Sequence, residues 1–85
     1  MGLTLRAEVS VVDTDYGSVL LDERAGRYFQ LNPTGKLVVG ALLEGRSAEQ
    51  AAEALAREYR VSREQAGRDV TALVAGLRSA GLVTP

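Results

Sequence analysis

At Asn32-Pro33 the hydrophobic pattern of the chain changes period, and this junction limits the fold more than any other feature. Upstream, apolar residues alternate with polar ones, the period-2 pattern of strands with one buried face. Downstream, they recur at helical spacing. Asn32 is a favourable N-cap and Pro33 suits the first helical position, where its missing N–H costs nothing. The chain therefore reads as an extended first third followed by a helical remainder, with no linker, low-complexity tract or internal repeat.

Three strands fit the extended part. In "LTLRAEVSV", residues 3–11, Leu3, Leu5, Ala7, Val9 and Val11 point one way, while Thr4, Arg6, Glu8 and Ser10 point the other. "DTDYG" (Asp13–Gly17) is a turn, and "SVLLD" (Ser18–Asp22) is the second strand. "ERAG" (Glu23–Gly26) is a tight turn, with Gly26 able to take the positive φ that short hairpin loops often need. "RYFQL" (Arg27–Leu31) is the third strand and runs straight into the helix start.

Three helices follow, each punctuated. The first runs to about Glu44, with Leu37, Val38, Ala41 and Leu42 on its buried face and Gly45 as terminator. Ser47 and Gln50 make a capping box that opens the second, which buries Ala51, Ala52, Leu55 and Tyr59. Ser62 and Gln65 make another, and Val61 can staple onto Ala66. The third helix carries Ala66, Val70, Leu73, Val74 and Leu77 at helical spacing. Gly81 ends it in the left-handed region, with Leu82 folding back on Leu77 as in a Schellman motif. The expected fold is α+β: a three-stranded antiparallel meander followed by three α-helices. The last two helices form a helix-turn-helix pair, so the whole is winged helix-turn-helix-like.

Composition narrows the function. With 85 residues the chain makes one domain, residues 1–85, with a limited core. No His and no Cys are present, which removes the commonest general base, the thiolate nucleophile and the usual metal ligands; no catalytic, metal or cofactor site is expected. Ser47 and Ser62 serve as helix caps, and the remaining serines have no base partner. Glu44, Glu49, Glu53, Glu58, Glu64 and Asp69 are spread over helix surfaces among Arg residues, the arrangement of solvated faces with i,i+4 partners such as Glu53–Arg57. No Gly-rich phosphate loop occurs. No apolar run reaches the roughly 20 residues of a membrane span, and the N-terminus lacks a signal-peptide pattern, so a cytoplasmic protein without membrane attachment is expected.

Two binding functions remain. A helix-turn-helix DNA regulator would present Arg63, Glu64, Gln65 and Arg68 to the groove. Against it stand a net charge of −1, a single Lys, and Glu64 and Asp69 beside the would-be contacts. A peptide-binding module fits better. Meander order leaves the third strand at an edge, and it carries neither Pro nor Lys to discourage pairing. Such an edge beside an apolar helix is what strand addition by a guest peptide needs. Alternation turns either Phe29 and Leu31 or Tyr28 and Gln30 inward; Phe29 and Leu31 are taken as the inner pair, and Asp69 and Leu73 are assigned to a groove between the third strand and the third helix. Val70, Val74 and Leu77 are read as packing.

From residue 18 to residue 83 the sequence closely resembles the PqqD-like proteins, the recognition elements of pathways that modify ribosomally made peptides. The resemblance rests on an ordered set: Leu21-Asp22, Gly26 to Tyr28, Leu31-Asn32, Thr34-Gly35, "LLEG" at Leu42–Gly45, the "AAEALAREY" helix, Asp69-Val70 and Gly81-Leu82-Val83. It implies a non-catalytic domain that binds the leader of a precursor peptide and delivers it to a modifying enzyme. The leader-binding residues it implies are Arg27, Tyr28, Phe29, Gln30 and Leu31 on the third strand, and Asp69, Val70, Leu73 and Leu77 on the third helix. A chain of this size resembles the stand-alone recognition proteins of bacterial lasso-peptide biosynthesis, whose partner would be a leader peptidase. The alternative within the family is a chaperone for a radical enzyme of the pyrroloquinoline quinone pathway. Self-association through the open third-strand edge stays open.

Overall fold

The computed structural model describes residues 3–84. Strands β1 (Val9–Thr14), β2 (Gly17–Asp22) and β3 (Arg27–Leu31) form one antiparallel sheet in the order β1-β2-β3. Helices α1 (Pro33–Leu43), α2 (Ala48–Tyr59) and α3 (Arg63–Ser79) follow. The α+β meander-then-helices order is therefore as the sequence predicts, with β3 matching residue for residue.

The first strand is where the expectation fails. The main chain turns at Ala7-Glu8, and Val9 N–H donates to Arg6 C=O at 3.0 Å. Upstream of that turn, Leu3–Arg6 does not join the sheet; it forms a strap on the C-terminal end. Leu5 bridges Val83, Arg6 N–H donates to Leu82 C=O and Thr84 N–H to Thr4 C=O. Alternation continued unbroken through the kink, so sequence could not reveal it. Ala7 is exposed as a result, and β1 runs on to Thr14, leaving only Asp15 and Tyr16 in the turn.

Register assigns the faces. Ser18, Leu20 and Asp22 share a face with Leu31, Phe29 and Arg27 on one side and with Asp13, Val11 and Val9 on the other. Leu20 and Leu31 on this face are buried in the core. The helices pack over β2 and β3 through α1 and stop short of β1. Hence Val11, although it faces inward, remains exposed. Ser18 is buried too, and its hydroxyl donates to the Asp13 carboxylate at 3.0 Å, which satisfies it. Lys36 of α1 lies 3.5 Å from the same Asp13 oxygen.

Capping explains where the helices begin. Asn32 Oδ1 accepts from Gly35 N–H at 2.8 Å, with Pro33 at the first helical position. Ser47 and Gln50 form the complete reciprocal box. The Ser62 box is only half made: Ser62 Oγ accepts from Gln65 N–H, but the Gln65 side chain turns to Asp69 instead. Gly81, at φ +72°, closes α3 as a Schellman motif, with Leu82 N–H donating to Leu77 C=O and Gly81 N–H to Arg78 C=O. On α1, Val39 is buried alongside Val38, Ala41 and Leu42, while Leu37 is half-buried. On α2 the buried stripe is Ala51, Ala54 and Leu55. Tyr59, expected inside, is exposed because it is the last residue of α2, beyond the reach of the core.

Candidate functional site: an open strand edge beside a cleft

One hydrogen bond fixes which main-chain groups of β3 are free. Glu23 N–H donates to Glu8 C=O at 3.2 Å, one step beyond the Val9–Asp22 pair. Hydrogen-bonded and non-hydrogen-bonded pairs alternate along an antiparallel ladder. The bonded pairs of β1 and β2 are therefore Ser10–Leu21, Val12–Val19 and Thr14–Gly17. The last of these closes the two-residue Asp15-Tyr16 turn, as a tight hairpin requires. Ser18, Leu20 and Asp22 accordingly turn their N–H and C=O toward β3, where they meet Leu31, Phe29 and Arg27. Tyr28 and Gln30 turn theirs outward, away from the sheet.

Beside that edge lies a cleft. Its upper part is lined by Tyr16, Phe29, Leu31, Asn32 and Leu73, and encloses about 410 Å³. Its lower part, lined by Asn32, Thr34, Asp69, Ala72 and Leu73, encloses about 320 Å³. Both parts share Asn32, Gly35 and Leu73, so they are continuous. The Phe29 ring spans from β3 to α3, where it packs over Gly76; a Cβ there would lie 3.7 Å from the ring. Phe29 thereby bridges β3 and α3 at one end of the cleft.

The predicted site residues divide into three groups. Tyr28, Gln30 and Arg27 are exposed on β3; Phe29 is half-buried and Leu31 is buried beneath the edge. Asp69 and Leu73 do face the cleft, Asp69 exposed and Leu73 half-buried. Val70 and Leu77 are enclosed in the core at 2% and 0% exposure. They fix α3 as the wall of the cleft and present no surface of their own. The Asp69 carboxylate accepts from Gln65 Nε2 at 2.8 Å, and Arg68 donates to Gln65 Oε1 at 3.0 Å.

Sequence reasoning missed Tyr16, Asn32 and Thr34. Tyr16 is 77% exposed at the β1–β2 turn, and a turn residue gives no periodic signal. What places it is Gly17, whose position permits no side chain: a Cβ there would meet Leu31 O at 2.0 Å. The turn is thus pressed onto the end of β3. Asn32, a helix cap by sequence and in the structure, also lines both parts of the cleft. Among the described residues no buried side-chain polar atom lacks a partner, and no group of three His, Cys, Asp or Glu gathers as a metal set.

Residues 17–83 match the family of Coenzyme PQQ synthesis protein D (PqqD). The chain belongs to the PqqD family. Among solved structures it is similar to one described as lasso peptide synthetase B1 complexed with the leader peptide, at 48% identity and a TM-score of 0.93, with each chain covered over 100% of its length. A second similar structure is TbiB1 in complex with the TbiA(beta) leader peptide, at 29% identity and a TM-score of 0.84, covering 94% of this chain and 93% of that one. No curated protein matches the chain. The PqqD match takes in β2, β3 and all three helices, and with them both walls of the cleft.

Proposed function

We propose that this PqqD-family chain, as a single domain, binds the leader segment of a ribosomally made precursor peptide as a fourth strand on β3. It then delivers that peptide to a modifying enzyme, a leader peptidase in lasso-peptide biosynthesis. The observation that carries the reading is the pair of outward-facing main-chain units at Tyr28 and Gln30 beside a cleft whose apolar lining is Phe29, Leu31 and Leu73 and whose polar lining includes Asn32, Thr34 and Asp69. Strand addition draws affinity from such main-chain groups and register from pockets for alternate side chains. Guest residues opposite Phe29 and Leu31 would send their side chains into the cleft, toward Leu73, because cross-strand neighbours share a face. Both similar structures hold leader peptides, which supports the choice of guest. The 48% identity to a lasso peptide synthetase B1 favours that pathway over the quinone one.

The chain would perform no chemistry itself. It has no His or Cys, and its carboxylates are dispersed over helix surfaces. Its contribution is to hold an otherwise disordered peptide in one register, the ordering cost being met by main-chain bonds and apolar burial.

Amide hydrogen exchange tests the reading with the full chain and a precursor peptide from the same organism. Without peptide, the Tyr28 and Gln30 amides should exchange fast and those of Phe29 and Leu31 slowly. On addition of peptide, Tyr28 and Gln30 should become protected while Arg63–Gln65 do not change. Protection at Arg63–Arg68 with none at Tyr28 and Gln30 would place the guest elsewhere and defeat the strand-addition reading.

A further inference from the structure

The same sequence signal opens α2 and α3, yet only one of the two capping boxes closes. Ser47 with Gln50, and Ser62 with Gln65, have the spacing in which the Ser caps an amide of the first turn and the Gln reaches back to the Ser N–H. Gln50 does so, accepting from Ser47 N–H at 2.9 Å. Gln65 does not: its Nε2 donates to Asp69 at 2.8 Å, and its Oε1 accepts from Arg68 at 3.0 Å. The cause lies in the next turn. Three and four residues after Gln50 stand Glu53 and Ala54, whereas three and four after Gln65 stand Arg68 and Asp69. Those are the spacings at which helix side chains meet. An ionised carboxylate only accepts and a guanidinium only donates. The Gln65 amide therefore has one orientation, with its nitrogen toward Asp69 and its oxygen toward Arg68. A flip would set acceptor against acceptor at one end and donor against donor at the other.

We propose that Gln65 is a positioning residue for the peptide site: clamped by Arg68, it holds the Asp69 carboxylate in the orientation that receives a hydrogen-bond donor of the guest. This rests on the leader-binding reading. Asp69 lines the lower part of the cleft, while Gln65 and Arg68 lie outside that lining, so the guest meets the carboxylate and not its supports. All three side chains are exposed, and none is held by packing. Their mutual bonds are what fixes them. The bond from Gln65 occupies Oδ1 of Asp69 and leaves Oδ2 for the guest. The chain runs from a cation through a neutral amide to an anion, an order in which each hydrogen bond polarises the next. It also keeps the guanidinium off the carboxylate. Arg68 is engaged with Gln65, and among the described residues no ion pair joins it to Asp69. An acceptor fixed in advance spares the guest the entropy of ordering it, which is how preorganisation raises affinity. The open box at Ser62 is the cost: Gln65 serves the cleft instead of the helix end.

Titration of the full chain with a precursor peptide from the same organism tests this, read beside urea denaturation. Met matches Gln in length and helix preference but donates nothing. Gln65→Met should keep the wild-type urea midpoint and weaken precursor binding by roughly three- to tenfold, the scale of one hydrogen bond. Glu at this position repels Asp69 and can turn back to the Ser62 N–H, completing the box at the positive end of α3. Gln65→Glu should therefore hold or raise the midpoint while weakening binding at least as much as Met does. The deciding measurement repeats both changes in the Asp69→Ala chain. There neither should alter affinity further, because Gln65 acts only through that carboxylate. The inference is overturned if Gln65→Met binds precursor like wild type, or if its effect survives in the Asp69→Ala chain. Failure of the precursor to bind the unsubstituted chain removes the leader reading and this inference together; precursor binding that is indifferent to Asp69→Ala removes this inference alone.

Discussion

Gly17 and Asp69 show how differently single residues serve this domain. At Gly17, φ is +145° and a Cβ would collide with the Leu31 carbonyl, so the β1–β2 turn can press against β3 only if no side chain intervenes. Gly17→Ala should lower stability in urea denaturation by roughly 1–3 kcal/mol, the usual scale of local backbone strain. Gly40, in the middle of α1, has nothing within 4 Å of its absent Cβ and no positive φ. Gly40→Ala should therefore stabilise by about 0.4–1 kcal/mol, chiefly by restricting the unfolded chain. The pair is a control on itself: equal signs would contradict the geometry at one of the two positions. Asp69 does little for the fold, being exposed and bonded only to Gln65 on its own helix, an i,i+4 contact of about 0.2–0.5 kcal/mol. Its carboxylate stands at the lower cleft, where a guest would remove it from water. Asp69→Ala should leave the urea midpoint nearly unchanged and weaken peptide binding by roughly 1–3 kcal/mol, the cost of orphaning a desolvated partner. Unaltered affinity would return Asp69 to the role of a solvated helix residue.

Among the elements, β3 carries the sharpest prediction, because the ladder phase gives its residues opposite duties. A proline lacks the N–H, which matters only where that N–H is used. Gln30→Pro removes a group that faces outward; the fold should persist while peptide binding is lost. Phe29→Pro removes a bond to Leu20 in the centre of the sheet and the ring that spans to α3, and the chain should unfold or lose several kcal/mol. Circular dichroism and peptide titration of the two variants separate these outcomes, and an unfolded Gln30→Pro with a folded Phe29→Pro would reverse the phase assigned here. That phase was not legible in the sequence. Alternation told that Phe29 and Leu31 share a face, but not which main-chain groups point away from β2; that needed the Glu8–Glu23 bond. Caps and terminators at Asn32, Ser47, Ser62 and Gly81 were legible because each is a local hydrogen-bond problem with few solutions. The break at Ala7-Glu8 was not, since it depends on what the C-terminal segment offers Leu3–Arg6 from almost the full chain length away. Tyr16 escaped for the same reason: its place beside the cleft is set by Gly17 meeting Leu31, a contact that no spacing announces.

At the scale of the molecule, the layering separates three surfaces that a winged helix-turn-helix architecture would otherwise suggest are one. The start of α3, where a DNA regulator would read bases, has Gln65 and Arg68 engaged with each other and with Asp69. The β3 edge lies elsewhere, the cleft meets this cluster at Asp69 alone, and the strap of Leu3–Arg6 lies with the C-terminal end. That strap ties the two ends of a small domain whose whole stability is on the order of 5–10 kcal/mol. Leu3 is part of the core and its N–H donates to Leu42 C=O at 3.0 Å, while Arg6 and Thr84 complete the pairing around Leu82 and Val83. Leu3→Ala trims a buried side chain at the margin of the core, so a loss of about 2 kcal/mol is expected, near the low end for such truncations. The loss should be uneven. Arg6 and Thr84 amides, held only by the strap, should exchange much faster, because local opening there no longer breaks a packed leucine. Tyr28 and Gln30 take no part in the strap. Precursor affinity measured well below the melting temperature should therefore equal wild type. A variant that kept full stability would show that Leu3 does not anchor the strap; one that lost peptide affinity while still folded would show that the strap and the β3 edge are coupled through α3.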